Sequence, residues 1–305
     1  MKTLLKLLIT LEKQVSKNKL NQYKSVVVRL TRIRLSLMVS ISAMTGYFLT
    51  GSSPTWALML MFGGVFFLAA GTSVLNQVQE CRRDALMKRT ATRPIPAGEI
   101  SRPVAILISI LLIAGGTVML SLNGWIPMAL GLSNIVFYNL IYTPLKSRSW
   151  LAIIPGALVG AVPPLIGWTS AGFYIFNPNA QFVAIFVFLW QIPHFWLLMI
   201  KYGKEYESAG FSSISKMLNE RQIKLVVFYW GVITSLFLML FPFFGFSFKP
   251  LLISFLIGIN FLFVFYFHRF LFREGRSSTI RKAFILINSY AMVVFLFLVI
   301  NAMIS

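Results

Sequence analysis

Long apolar runs alternate with short polar connections along most of this chain. Runs able to cross a hydrocarbon core of about 30 Å lie near residues 35–52, 55–76, 103–122, 125–142, 150–170, 180–200, 225–246, 250–267 and 283–304. The pattern predicts nine spans. Each must be a helix, because isolated strands would leave backbone groups unpaired in lipid and no segment alternates as a membrane barrel strand does. The connections are unequal: short ones near Ser52-Ser53 and Asn123-Gly124 contrast with long ones at 77–102 and 201–224. Both long connections follow even-numbered spans and carry acids, Glu80 and Asp84 in one, Glu205 and Glu207 in the other. That arrangement suggests a repeated helix pair around a shared cavity, with the chemistry at the end of the bundle where the long connections lie.

Composition agrees with the pattern, since 57% hydrophobic residues, 29 Phe and only 12% charged side chains in 305 residues exclude an ordinary soluble domain. The net charge of +20 then reads as topology. Of the 28 Lys and Arg, all but Lys249 fall in residues 1–34, 82–102, 146–148, 201–224 and 269–282, which are alternate connections. The positive-inside bias places these in the cytoplasm, with the amino terminus inside and the carboxyl terminus outside. Such a face meets anionic lipid headgroups and concentrates anionic substrates; aromatic-interleaved basic patches are missing, so nucleic acid is not an expected partner. The single cysteine, Cys81, excludes an internal disulfide and is read as incidental. The expected organisation is a basic amphipathic extension over residues 1–34 followed by one all-α, nine-helix domain over 35–305 in a bacterial plasma membrane.

Against this background the segment from Asn76 to Pro94 stands out, holding two of only eight acidic residues. Asn76, Glu80 and Asp84 recur every fourth position, and at about 100° per residue each step drifts only about 40°, so the three side chains share one helical face. Three oxygen ligands so placed suit a hard divalent cation such as Mg²⁺, commonly held by one or two carboxylates together with substrate phosphates. Lys88, Arg89 and Arg93 follow and can pair with remaining phosphate charge. The competing reading is a solvated, charged helix end, which the regular spacing argues against. Arg82 and Arg83 are read as membrane-surface charges.

Two further regions carry polar groups at span ends or at membrane depth. Tyr142-Thr-Pro-Leu-Lys146-Ser-Arg148 sits where a helix meets the basic face, and it runs into Gly156-x3-Gly160-x2-Pro163-Pro164-x2-Gly167-Trp168. Glycines four apart permit close helix approach, and the paired prolines release backbone groups that protein or a cavity must satisfy. Trp190-Gln191-x-Pro193-His194-Phe195-Trp196 puts an amide and an imidazole within the sixth span, where polar groups usually face an interior or an aqueous pocket. A porphyrin or quinoid ring would fit there. His194 is open to three roles: an iron ligand, a propionate partner or a bond to a neighbouring helix. His268, at a basic span end, reads as interfacial.

Across residues 35 to 300 the chain resembles the protohaem IX farnesyltransferase (haem O synthase) family of the intramembrane prenyltransferase superfamily. The resemblance rests on Asn76-x3-Glu80-x3-Asp84 with Met87-Lys-Arg89-Thr90-x2-Arg93-Pro94, and on Tyr142-Thr-Pro-Leu-Lys146. It extends to Gly160-Ala-x-Pro163-Pro164-x2-Gly167-Trp168 and Trp190-Gln-x-Pro193-His194-Phe195-Trp196. It implies a helical bundle with two acidic loops facing each other over a central cavity that holds Mg²⁺ and prenyl diphosphate. The implied substrates are farnesyl diphosphate and haem B in a lipid setting, with a downstream haem-modifying membrane protein as a further partner. By that resemblance Asn76, Glu80, Asp84, Arg93 and Lys146 are the expected catalytic set, with Asn76, Glu80, Asp84 and Glu205 toward metal. Lys88, Arg89, Tyr142, Gln191 and His194 are expected toward substrate, His194 as the haem contact.

Two departures from the family pattern matter. Glu80 stands where the first motif usually carries Asp, keeping the carboxylate on a longer arm. The second motif usually reads Asp-Asp-Tyr-x2-Ala-Gly, whereas this chain has Lys204-Glu205-Tyr206-Glu207-Ser-Ala209-Gly210. That leaves Glu205 as the second-site ligand and Glu207 as either a substitute or a surface charge. The alternatives are a sister enzyme acting on a quinone precursor or other aromatic acceptor, an ion-coupled transporter using Asp84 and Glu205, and a non-catalytic scaffold for oxidase assembly.

Overall fold

A computed structural model describes residues 23–212, 214, 217–246, 248–273 and 277–304. Residues 1–22, most of the expected amino-terminal extension, lie outside the described residues. Among the described residues the protein is all helical. The long helices are α1 (Ile33–Phe48), α2 (Trp56–Asp84), α3 (Arg102–Ser121), α4 (Trp125–Leu145), α5 (Trp150–Ser170), α6 (Pro178–Ser208), α7 (Glu220–Leu238), α8 (Pro250–Phe272) and α9 (Ser277–Ile304).

Eight of these are long and apolar enough to cross a membrane. The ninth predicted span, 35–52, is the 16-residue α1, whose length of about 24 Å at 1.5 Å per residue falls short of a hydrocarbon core of about 30 Å. It is preceded by a short helical segment over 23–30, from which it is separated by Arg32 in the left-handed region at φ 47°. The longest helices, α2 and α6, run the other way. Their 29 and 31 residues reach about 44 and 46 Å, so their charged carboxyl-terminal turns project beyond any bilayer core. Residues 77–84 and 201–208, expected as loop, therefore continue the helices, the second through Gly203. Gly210 at φ 76° follows the end of α6.

Helices adjacent in sequence pack together, and α1 crosses α5 while α9 closes against α6. The α1–α5 crossing is the tightest joint. A Cβ on Gly46 would overlap the Pro164 carbonyl oxygen and lie 2.8 Å from its Cα; one on Gly167 would overlap the Ala43 carbonyl oxygen and lie 2.8 Å from the Tyr47 nitrogen. Backbone therefore meets backbone here, and the paired prolines sit inside an unbroken α5. Gly156 and Gly160, expected to bring helices together, serve a different purpose. Each makes room for a side chain: the Tyr142 ring lies 2.9 Å from a Cβ on Gly156, and Gln191 would be struck by one on Gly160.

Opposite this joint, α6, α7, α8 and α9 enclose an aromatic-rich core in which Phe182, Phe186, Phe267 and Leu238 are fully buried. Asn260 of α8 accepts from Ser235 of α7 at 2.5 Å and from Tyr290 of α9 at 2.7 Å. The buried amide thus has partners on both neighbouring helices, which is how a polar group at membrane depth is tolerated.

Candidate active site

The last two turns of α2 carry the first motif, and the predicted face is real. Asn76, Glu80 and Asp84 are 2%, 3% and 0% exposed, so the three point into the bundle and not into solvent. Each meets a partner from a different segment. Asn76 donates to Thr143 Oγ1 of α4 at 3.1 Å and accepts from the Arg32 guanidinium at 3.4 Å. Glu80 is paired with Lys146, whose Nζ lies 3.2 Å from Oε1 and 3.4 Å from Oε2. Asp84 Oδ2 accepts a short charge-assisted bond from Arg93. Thr90 donates to the Asp84 carbonyl at 2.9 Å and folds the following turn back over the helix end.

Thr143 and Lys146 reach α2 because the end of α4 is underwound. Val136–Tyr142 forms a π-helical stretch, a feature that often marks functional sites and that shifts the side chains after it relative to an α-helix. No sequence signal announces it. Asn139 within this stretch donates to Gln79 Oε1 at 3.1 Å and accepts through its backbone carbonyl from Gln79 Nε2 at 3.0 Å, locking α4 to α2 beside the site.

Five charged side chains gather in this space: Arg32, Arg93 and Lys146 against Glu80 and Asp84. One positive charge is in surplus. Burial, and next the charge of Arg32, pull the Arg93 guanidinium below its ordinary range, with Asp84 opposing. An anion entering the cluster would relieve that crowding. Arg32 was expected to belong to a surface extension; its left-handed backbone instead turns the side chain onto Asn76. Its neighbour Arg29 staples the 85–101 turn from outside through Glu99 at 2.5 Å and the Thr92 carbonyl at 2.8 Å.

The end of α6 closes the other side. Tyr206 accepts from Arg89 at 3.0 Å, and the Lys146 ammonium lies 5.1 Å from the Tyr206 ring centre and 4.3 Å from that of Phe211. Both contacts are of cation–π type. Met87, Ala209 and Phe211 form a buried apolar seal beneath them. Arg83, read as a surface charge, stands 5.3 Å over the Phe211 ring. Lys88 is exposed at the rim. Glu205 has its Oε2 buried without a hydrogen-bond partner, as does Asp84 through Oδ1. Replacing Tyr206 by Phe should remove one hydrogen bond to a charged donor, about 2 kcal/mol. The expected result is a KM for the anionic substrate raised about tenfold or more with the fold intact, read by steady-state kinetics beside a thermal melt.

The remaining predicted residues lie on α4 and α6 away from the charges. Tyr142 stacks on Tyr138 at 5.5 Å and faces Phe195 at 6.4 Å. Phe195 in turn lies 5.7 Å from His194, so an aromatic series links the charged end of the bundle to the imidazole. Gln191 lies one turn before Phe195 on α6, seated on Gly160. His194 is half-buried between Trp190 and Phe284, and its Nδ1 lies 3.0 Å from Asn288 Oδ1 of α9. His268 rests against Phe228 and Phe272. Among the described residues no group of three or more His, Cys, Asp or Glu is placed to hold a metal unaided. Asn76 and a bound phosphate would have to complete any cation site.

An all-helical membrane bundle that brings the carboxylates of α2 together with cations from three other segments, beside the aromatic side chains of α4 and α6, defines a class of intramembrane enzyme handling a charged head and an apolar tail. Residues 39–297 match the model of the UbiA prenyltransferase family, and the chain belongs to that family. Among curated relatives, a protein from Geobacter sulfurreducens named protoheme IX farnesyltransferase is 41% identical over 59% of this chain and 67% of its own length. One of the same name from Christiangramia forsetii is 31% identical over 83% of this chain and 85% of its own. Among solved structures, a chain from a study of digeranylgeranylglyceryl phosphate synthase superposes with a TM-score of 0.76 at 17% identity, over 93% of this chain and 100% of that one. A UbiA homologue from Archaeoglobus fulgidus bound to GPP and Mg²⁺ gives 0.67 at 13% identity, over 92% and 100%. These structures share the fold.

Proposed function

We propose that the protein transfers the farnesyl group of farnesyl diphosphate to a vinyl group of haem B, with addition of water, yielding haem O and diphosphate. The observation that carries this reading is the buried cluster of Asp84 and Glu80 with Arg93, Arg32 and Lys146, opening onto the aromatic series that ends at His194. The two similar relatives named protoheme IX farnesyltransferase supply the substrate pair.

The site also fits a divalent cation. Asp84 Oδ1 and Glu205 Oε2 are buried carboxylate oxygens with no hydrogen-bond partner, and unpaired acceptors of that kind are what a hard cation takes. Asn76, Glu80, Asp84 and Glu205 are the residues that would hold Mg²⁺, which would neutralise part of the charge on the departing diphosphate. The rest of the work falls to the chain itself. Arg93, Lys146 and Arg32 are preorganised donors aimed at the same space, so they stabilise charge on the leaving group without moving far. Arg89, bonded to Tyr206, guards the rim where the diphosphate enters.

Ionisation of the allylic C–O bond leaves the electron pair on diphosphate and a cation on the farnesyl chain. The vinyl π-electrons form the new C–C bond, and water adds to the resulting cation with loss of a proton. The aromatic series from Tyr138 to Phe195 shields the cation from early water while offering it ring faces. By the positive-inside argument the charged end faces the cytoplasm of a bacterial cell, and residues 35–305 act as one prenyltransferase domain behind the 1–34 extension.

The test is mass spectrometry of porphyrins extracted after protein in lipid is incubated with haem B, farnesyl diphosphate and Mg²⁺. A farnesylated, hydrated haem is the expected product. Diphosphate release with a quinone precursor and none with haem would move the assignment to a sister prenyltransferase; flux of ions without diphosphate release would sink it.

A further inference from the structure

Trp190 and His194 lie one turn apart on α6, and both bond to α9 through consecutive residues. Trp190 Nε1 donates to the Ile287 carbonyl at 3.0 Å, and His194 Nδ1 meets Asn288 Oδ1 at 3.0 Å. The direction of the second bond follows from Asn288 itself. Its Nδ2 donates to the Phe284 carbonyl at 2.5 Å, one turn back on α9. Exchanging the amide oxygen and nitrogen would set two lone-pair-bearing oxygens at that distance, so the orientation is fixed by chemistry. Asn288 Oδ1 is thus obliged to accept, and in the neutral ring the hydrogen must sit on His194 Nδ1. Nε2 is then left with its lone pair, and it makes no hydrogen bond among the described residues.

We propose that Asn288 is a positioning residue: it holds His194 as the Nδ1–H tautomer so that Nε2 is presented as an electron-pair donor to the metal of a bound tetrapyrrole. The proposal rests on the haem reading above and extends it to a residue on a different helix. The arrangement follows the logic of metal-bound imidazoles generally, in which a bond from the other ring nitrogen sets tautomer and ring angle and raises basicity. Trp190 at 5.1 Å and Phe284 at 4.8 Å hold the ring in its plane of approach, while Phe195 connects it to the Tyr142 end of the prenyl path. The Trp190–Ile287 bond already provides a join that involves no titratable group.

The experiment uses full-length protein in lipid nanodiscs and has two arms. In the first, ¹⁵N-histidine magnetic resonance without haem reads the tautomer directly. The chain holds only two histidines, so His268→Gln isolates His194. The expected spectrum has Nδ1 protonated and Nε2 bare in the parent, a mixture in Asn288→Leu, and recovery in Asn288→Asp, which keeps an acceptor oxygen. In the second arm ferric haem is titrated and its absorption and paramagnetic resonance recorded. The parent and Asn288→Asp should show an imidazole-ligated spectrum, lost in His194→Gln and weakened about tenfold in apparent affinity in Asn288→Leu. A parent ring protonated on Nε2 or on both nitrogens, or a tautomer unmoved by Asn288→Leu, overturns the proposal. So does a haem spectrum that His194→Gln leaves unchanged. Haem that binds and is farnesylated in that last case overturns this proposal alone; haem that neither binds nor reacts overturns the substrate assignment as well.

Discussion

Replacing Asp84 by Ala is expected to abolish farnesyl transfer while leaving protein that still inserts and purifies. Two effects fall on one side chain. The carboxylate has one oxygen bonded to Arg93 and the other buried without a partner, so its loss removes both the unpaired acceptor proposed to take a cation and the counter-charge of Arg93. Removing a single preorganised electrostatic group typically costs 10² to 10³ in kcat. Here the unpaired guanidinium adds a second penalty, since breaking a buried pair costs about 3 to 5 kcal/mol. A fall of about 10³-fold or more in haem O formed per molecule of folded protein is therefore expected, measured by mass spectrometry beside size exclusion in detergent. Asp84→Asn separates the contributions, because it keeps the volume and a hydrogen-bond acceptor for Arg93 but not the charge. If Asp84→Asn retained near-parental turnover, charge at this position would not be what the reaction requires.

The residues of this cluster differ in how far the sequence reveals them, and the difference is physical. Asn76, Glu80 and Asp84 share a face by helical periodicity alone, and acids are so rare in this chain that this face was legible as a site, while its burial comes from the packing of α2 against its neighbours. Arg93 and Lys146 were legible as nearby cations, although which carboxylate each would meet was not, because that depends on how the 85–101 turn folds back and on the π-helical stretch at the end of α4. Arg32 was hidden for another reason. A basic residue before an apolar run reads as a headgroup contact, and only the left-handed backbone at that position turns it inward. Tyr206 and Phe211 lie on the second acidic segment, but their rings cover Lys146 through tertiary contact that no local pattern encodes.

The spans show the same division. Hydropathy places helices well in α3, α4 and α5, where apolar runs begin and end sharply. It underestimates α2 and α6, because charged residues ended the apolar run without ending the helix; backbone hydrogen bonding continues past charged side chains, and in α6 past Pro193 and Gly203 as well. It overestimates α7, which gives way after Leu238 to a short turn over Phe241–Phe244 containing Pro242, residues just as apolar as the helix before them. Hydropathy reports where a segment can sit, not how far it stays helical.

Gly167→Val is expected to be the most damaging apolar substitution in the bundle, with Gly46→Val close behind. The glycine hydrogens face backbone atoms of the opposing helix: a Cβ on Gly167 would overlap the Ala43 carbonyl oxygen and sit 2.8 Å from its carbon. Side chains can rotate away from an added methyl, but a carbonyl within a helix cannot without moving the helix. Overpacking in a well-filled core costs about 1 to 3 kcal/mol when neighbours can adjust, so the cost here should reach at least the upper end. The consequence reaches the site, because α1 carries the Arg32 turn at one end and α5 seats Tyr142 and Gln191 through Gly156 and Gly160. Gly115→Ala provides the contrast, since nothing lies within 4 Å of a Cβ at that helical position, and a Gly to Ala change there should be neutral or stabilising by up to about 1 kcal/mol. Thermal unfolding in one detergent, with haem O formation recorded on the same samples, should show Gly115→Ala at or above the parent and Gly167→Val well below it in both. A Gly167→Val protein that melted with the parent would mean that α1 can shift away from α5 at little cost, and the Arg32 turn would then have to be held by its contacts to α2 alone.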